Sequence, residues 1–255
     1  MFKNSALWPQ LKKTSTEFDV RLREFSHNDV VTVNTDLNPK LWQGGRLDGK
    51  VRLKLIEIAR AFVDFVGVDL DVKDYTITGS NANYTWSKYS DLDLHVIIEG
   101  EISDEQRELF TAKKALWAEY HDITVKGLPV ECYVQGEAET HHSTGVYSIV
   151  NNTWLIKPQK TEPNLDDQAV EAKKDSMLTQ IEQALLSKDL EKLRTVKDKI
   201  TTMRRAGLDR AGEWSVENVV FKILRNLGLI DQITEKIREL EDAELSLEQQ
   251  TNVLD

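Results

Sequence analysis

Cysteine is almost missing from this chain of 255 residues, Cys132 being the only one. A lone thiol cannot close an internal disulfide, and it excludes a cysteine-rich zinc finger. Long apolar runs are missing as well. No stretch reaches the roughly 18 apolar residues of a membrane span, so no membrane partner is expected. The N-terminus, MFKNSALWPQLKK, has no apolar signal core ahead of its proline and lysines, and cytoplasmic residence is the expectation that follows. Basic charge is in deficit, with 33 Lys and Arg against 43 Asp and Glu and a net charge of −10. So acidic a chain makes a poor non-specific coat for nucleic acid, although a local basic groove would survive that average. What is present is a water-soluble globular mixture, 40% apolar and 30% charged, which excludes a mostly disordered chain. Its length suits one large domain or two small ones.

The hydrophobic spacing changes period along the chain. A short strand is expected at Val30 to Val33, and Pro39 and Gly44-Gly45 then punctuate the sequence. Val51, Leu55, Ile58, Ala59, Phe62 and Val66 recur at helical spacing, with Gly67 placed to end the helix. Tyr75 to Thr78 and Leu92 to Ile98 read as strands, and Ser103 to Tyr120 as a capped helix between the latter and a hairpin. The hairpin joins Ile123–Val125 to Val130–Val134 through Lys126-Gly127, and Val146–Val150 and Trp154–Ile156 extend the strand-rich part. Past Pro158 and Pro163 the sequence becomes Glu/Lys/Leu-rich. Leu178, Ile181 and Leu185 mark one amphipathic face, and Leu190, Leu193, Val196 and Ile200 another. Ser215–Asn226 and Ile230–Leu240 read as two further helices parted by Gly228. The expected class is α+β, a mixed-sheet domain over residues 1–160 followed by a helical domain over 161–255.

The chemistry concentrates in Thr76-Ile77-Thr78-Gly79-Ser80 and, ten residues later, Asp91-Leu92-Asp93-Leu94-His95-Val96. Two aspartates spaced by one residue on a strand project from the same face, while Leu92, Leu94 and Val96 point the other way. Neighbouring carboxylates repel, and a cation between them removes that cost. Mg²⁺ suits such a pair, because it takes one or two carboxylates and completes its shell with water and phosphate oxygens. Gly79-Ser80 closes the preceding strand, where backbone N–H groups and a hydroxyl can approach an anion. No Gly-Lys-Ser/Thr follows, so this is not a Walker A loop. Glu131 is the candidate third carboxylate, the only charge in Leu128-Pro129-Val130-Glu131-Cys132-Tyr133-Val134. An acid in that setting needs a partner, and a cation shared with Asp91 and Asp93 would be one.

This pattern, an apolar strand, Gly-Ser, a ten-residue gap, Asp-Leu-Asp-Leu and a later strand carboxylate, resembles the DNA polymerase β-like nucleotidyltransferase superfamily. Gly79-Ser80, Thr85 and Ser90-Asp91-Leu92-Asp93 look most like its compact branch of antibiotic nucleotidyltransferases, MNT-type antitoxins, oligoadenylate synthases and cyclic-oligonucleotide synthases. The likeness covers roughly residues 50–135, and in overall character the chain is similar to bacteriophage-encoded members. The resemblance implies a polymerase β-like fold in which Asp91, Asp93 and Glu131 bind two Mg²⁺ ions, with Mn²⁺ as a substitute. Glu131 stands where the family more commonly has aspartate. It further implies that Ser80 contacts a nucleoside triphosphate such as ATP. Nucleoside monophosphate would pass to a hydroxyl acceptor (a nucleotide, an RNA 3′ end, a protein or a small molecule), with release of pyrophosphate. The other reading on the same scaffold is a non-catalytic nucleotide-binding or antitoxin-like interaction protein.

Weaker candidates surround this motif, each with a plain structural alternative. His142 and Ser143, in His141-His142-Ser143-Thr144-Gly145, line a nucleotide or acceptor pocket or merely cap a loop. His95 shares the face of the aspartates and meets the acceptor or makes a structural hydrogen bond. Lys88, Gly79 and Ser90 lie where a triphosphate would sit, although a loop lysine is commonly just solvated. Arg204 and Arg205, with Arg210, either clamp a polyanion or complement helix C-termini. Trp42, Trp86 and Trp214 stack on a base or mark a core.

Overall fold

A computed structural model describes residues 30–139 and 143–246. These form two compact units, one over Thr32–Pro163 and one over Asn164 onward together with Val30 and Val31. The first is α+β and the second helical.

The first unit is built on a mixed six-stranded sheet. Its strands are β3 (Val72–Thr78), β4 (Leu92–Ile98), β5 (Thr124–Val125), β6 (Leu128–Gly136), β7 (Val146–Ser148) and β8 (Thr153–Ile156). The order is β5-β6-β4-β3-β7-β8, with β4 and β6 parallel and every other neighbouring pair antiparallel. A two-stranded ribbon, β1 (Trp42–Gln43) with β2 (Arg46–Leu47), precedes it. Parallel neighbours require a crossover. Here it is helix α2 (Asp104–Tyr120), entered through a capping box of Ser103 and Gln106. Helix α1 (Gly49–Val66) starts on Asp48, whose carboxylate accepts from the Lys50 and Val51 backbone N–H groups, and stops at Gly67.

Period decides which face is dry. Leu92, Leu94 and Val96 of β4 are fully buried and share one core with Ile77, Cys132, Tyr147 and the inward residues of α1 and α2, among them Leu55, Phe62, Phe110 and Trp117. Both helices therefore pack on that side of the sheet. Trp42 joins this core, stacked on Trp154 at 4.6 Å and edge-on to Tyr147 at 4.9 Å. The base-stacking reading fails for Trp42, since its ring is buried in the core against Trp154 and Tyr147 and its Nε1 donates to the Asn81 carbonyl.

Cys132 lies on this dry face, and burial foremost pushes its thiol up to about 12. A thiol that is neither ionised nor reached by solvent is inert. Native protein at pH 8 is expected to resist a thiol-specific reagent and to take up one label per chain after unfolding in urea. Rapid labelling of the folded protein would contradict this packing.

The second unit contains α3 (Asp167–Ser187), α4 (Leu190–Ala211), α5 (Val216–Asn226) and α6 (Leu229–Leu245). Their apolar stripes meet in a second core of Val170, Met177, Ile181, Leu193, Ile200, Val220, Ile223 and Ile233. Among the described residues no helix is long and apolar enough to cross a membrane. One expectation needs correcting: Val30 to Val33 form no strand. Val30 and Val31 instead pack in the second core, so their apolar side chains are satisfied without a sheet partner.

Candidate active site

Register brings the acids together. In the parallel pair β4–β6, Asp93 stands beside Glu131 and His95 beside Tyr133, while Leu92, Leu94 and Val96 align with Val130, Cys132 and Val134. Paired residues share a face, so Asp93, His95, Glu131 and Tyr133 project together from the face opposite Leu92, Leu94 and Val96. Thr78 and Thr76 of β3 pair with Asp93 and His95 and continue the same polar row. Asp91 sits one residue ahead of β4, close enough for its carboxyl to influence the titration of Glu131. The three acids meet on one face.

Gly79 makes room for them. Its backbone, at φ 71° and ψ −161°, is one that side-chain-bearing residues avoid, and a Cβ built there would run into Asp93 Oδ2. The Asp93 carboxylate thus lies against the bare backbone of the Gly-Ser corner. Ser143 closes that corner from the other side: the Gly79 N–H donates to Ser143 Oγ at 3.1 Å, and the Ser143 hydroxyl donates to the Gly145 carbonyl at 2.8 Å. The Ser80 hydroxyl donates to Ser90 Oγ at 2.8 Å. In this state the Gly-Ser corner spends its donors on these serines.

The ten-residue gap is a tied loop. Asn81, fully buried, donates to the Asp91 carbonyl at 2.7 Å and accepts from Asn38 Nδ2 at 2.8 Å, while Trp42 Nε1 donates to the Asn81 carbonyl at 2.7 Å. Asn34 Nδ2 reaches the Trp86 carbonyl at 2.7 Å, and Ser90 Oγ accepts from the Ser87 N–H at 2.9 Å. Buried amides that are all paired rigidify what they hold, here the backbone that carries Asp91.

Glu131 has a cationic partner, although not the one its sequence setting suggested. Lys114 of α2 donates to Glu131 Oε2 at 2.9 Å, and the Tyr133 hydroxyl donates to the same oxygen at 2.6 Å. Lys114 Nζ also lies 3.5 Å from the centroid of the Tyr133 ring, a cation–π contact. Burial pushes the Glu131 carboxyl up, but the Lys114 charge and hydrogen bond, helped by Tyr133 and Asp91, outweigh it, so its pKa falls below the ordinary value. Tyr133 goes the other way: burial first, then Asp93, Glu131 and Asp91, hold its phenol neutral and make it a permanent donor. His95 stacks on Tyr133 at 4.7 Å and shares a 3.1 Å hydrogen bond with Thr78 Oγ1.

The remaining candidates are dispersed. Lys88 is exposed, its ammonium 4.8 Å from the Tyr89 ring centroid. Arg204 and Arg205 occupy exposed positions on α4, Arg204 over the Phe221 ring at 4.1 Å. Arg210, in the last turn of α4, pairs with Glu217 at 2.7 Å. His142 lies outside the described residues. Lys114, Tyr133, Asn38 and Asn81 escaped sequence reasoning. Asn81 follows Gly79-Ser80 directly, and an amide beside such a corner is a legible signal; a lysine on a crossover helix is not.

Among the described residues no group of three His, Cys, Asp or Glu side chains is set to hold a metal ion. The donors nevertheless fit a hard cation in kind. Three carboxylates share one face, and the Lys114 ammonium already neutralises one.

No family model and no curated protein matches this chain. Among solved structures it is similar to a STING-associated CdnE c-di-GMP synthase from Capnocytophaga granulosa, at 12% identity. The overlap covers 78% of this chain and 83% of that one with a TM-score of 0.23. At that score the likeness assigns neither fold nor function.

Proposed function

We propose that this protein is a nucleotidyltransferase that moves a nucleoside monophosphate from a nucleoside triphosphate to a hydroxyl acceptor. The observation that carries this reading is the row Asp91, Asp93 and Glu131, brought onto one sheet face beside the Gly79-Ser80 corner. The acceptor oxygen attacks the α-phosphorus in line, one O–P bond forms as the bond to the β-phosphate bridge breaks, and pyrophosphate departs with the displaced electron pair. Mg²⁺ or Mn²⁺ held by the three acids would supply Lewis-acid stabilisation of the phosphoryl charge. The chain contributes placement. Asn81 and the paired strands fix the carboxylates, Ser80 and Ser90 offer hydroxyls to the phosphates, and the Asp93 side chain is seated by Gly79.

The Lys114–Glu131 ion pair favours one second reading, a binding module of the antitoxin-like kind in which the acids are neutralised from within and no transfer occurs. A single assay separates the two. Purified protein with each labelled triphosphate and Mg²⁺ or Mn²⁺ is expected to release pyrophosphate, and mass spectrometry of the product names the acceptor. Silence with all four triphosphates and both ions rejects the transferase.

A further inference from the structure

The loop between the Gly-Ser corner and Asp91 carries three aromatic rings close together, Tyr84, Trp86 and Tyr89. None of the three belongs to either apolar core of the described residues, so core packing does not account for them. Their backbone is nonetheless fixed. Asn34 donates from its backbone N–H to the Tyr84 carbonyl at 2.7 Å and from Nδ2 to the Trp86 carbonyl at 2.7 Å. The Tyr84 N–H donates to Asn83 Oδ1 at 2.7 Å, and the Tyr89 N–H to Ser87 Oγ at 3.2 Å. Trp86 Nε1 donates to the Asp36 carbonyl at 2.8 Å, which holds the indole itself. Tyr84 and Trp86 stay partly exposed, and Tyr89 is 36% exposed. Two exposed lysines attend them: Lys88 Nζ lies 4.8 Å from the Tyr89 ring centroid and Lys160 Nζ 5.0 Å from that of Tyr84. Between Tyr84 and Trp86, Thr85 is only 8% exposed, and its hydroxyl has no hydrogen-bond partner among the described residues. A buried hydroxyl left unpaired costs free energy that an incoming polar group would recover.

We propose that residues 84–89 form a stacking platform for the unpaired bases of a short single-stranded nucleic acid. Rings held at the surface with cations beside them suit such a strand. Its bases stack on the rings, its phosphates meet the two ammonium groups, and a base edge or sugar hydroxyl pairs with Thr85. Stacking accepts any base, because every base has a π face. It also agrees with a net charge of −10, which disfavours binding through phosphates alone. Two lysines neutralise at most two phosphates. The affinity therefore comes mainly from the rings and falls only shallowly with salt, with a log–log slope no steeper than about −1.4. Ser90 alone separates Tyr89 from Asp91, so a strand held here lies next to the acidic row. The platform needs neither ion nor triphosphate and stands apart from the transferase reading.

The test is fluorescence anisotropy of a short fluorescein-labelled oligoadenylate, offered as RNA and separately as DNA, titrated with the full chain in EDTA without triphosphate. The parent is expected to bind the single strand at least about tenfold more tightly than the same sequence in a duplex, whose bases are already stacked. Binding of either strand supports the platform, and the ratio shows which one it serves. Tyr89→Ala and Trp86→Leu, each checked by circular dichroism, are expected to weaken binding about fivefold or more. Tyr89→Phe keeps the ring and stays within about twofold of the parent. Tyr89 is exposed and outside both cores, so its removal tests the platform even where Trp86→Leu fails to fold. The platform is overturned if the parent binds neither strand, if duplex binds equally well, or if Tyr89→Ala binds as the parent does. Pyrophosphate release is read separately. Its absence beside ring-dependent binding rejects the transferase and keeps the platform, and its presence without such binding does the reverse.

Discussion

Asp93→Asn is expected to lower pyrophosphate release by roughly a thousandfold or more while the unfolding temperature stays within about 2 °C of the parent. The two halves of that result have separate causes. Asn keeps the shape that Gly79 accommodates, so the strand pairing of Asp93 with Thr78 and Glu131 is undisturbed. It also removes a negative charge from a row that carries three acids, which lowers repulsion in the folded state. What it takes away is the charged donor on which phosphoryl transfer would depend. Activity within tenfold of the parent, measured on protein with a normal circular dichroism spectrum, would place the reacting centre elsewhere.

Gly79→Ala should damage both stability and turnover. The backbone angles at this position belong almost only to glycine, and forcing a side-chain-bearing residue there costs about 1–3 kcal/mol. For a chain of this size that corresponds to a fall of about 2–12 °C in the unfolding midpoint. The new methyl also claims the volume of the Asp93 carboxylate, so the acid must rotate away from the corner. Activity per folded molecule is expected to drop about a hundredfold or more. Gly100→Ala is the control: φ is also positive there, at 81°, but a Cβ would meet nothing within 4 Å. It should cost stability and leave turnover alone. Equal loss of activity in both variants would reduce the Gly79 effect to general destabilisation.

The acidic row was legible because strand periodicity is a local property. Alternation in Asp91-Leu92-Asp93-Leu94 places the acids on one side by chain geometry alone, and the lone charge at Glu131 marks the face of its strand that turns away from Val130, Cys132 and Val134. Helices α1 to α6 were legible for the same reason, each apolar stripe recurring at helical spacing between capping residues. Register and partner choice are not local. Nothing in the order of residues says that Asp93 lies beside Glu131, since that depends on how far α2 carries the chain before β6 begins. Lys114 is one lysine among many on exposed helix turns, and only folded geometry singles it out. Val30 to Val33 failed in the opposite sense: a β-branched run satisfied by burial against helices looks, in sequence, like a strand.

The placement of Lys114 on α2 has a consequence for how the site comes into being. That helix is the covalent link between the strand bearing Asp93 and the strand bearing Glu131, so β6 cannot dock beside β4 until the crossover has folded back. Assembly of the acidic row and delivery of its ammonium are then one kinetic event. Asp91 and Asp93 are neighbours at every stage of folding, so what the long-range strand closure adds to them is the third acid together with its ammonium partner.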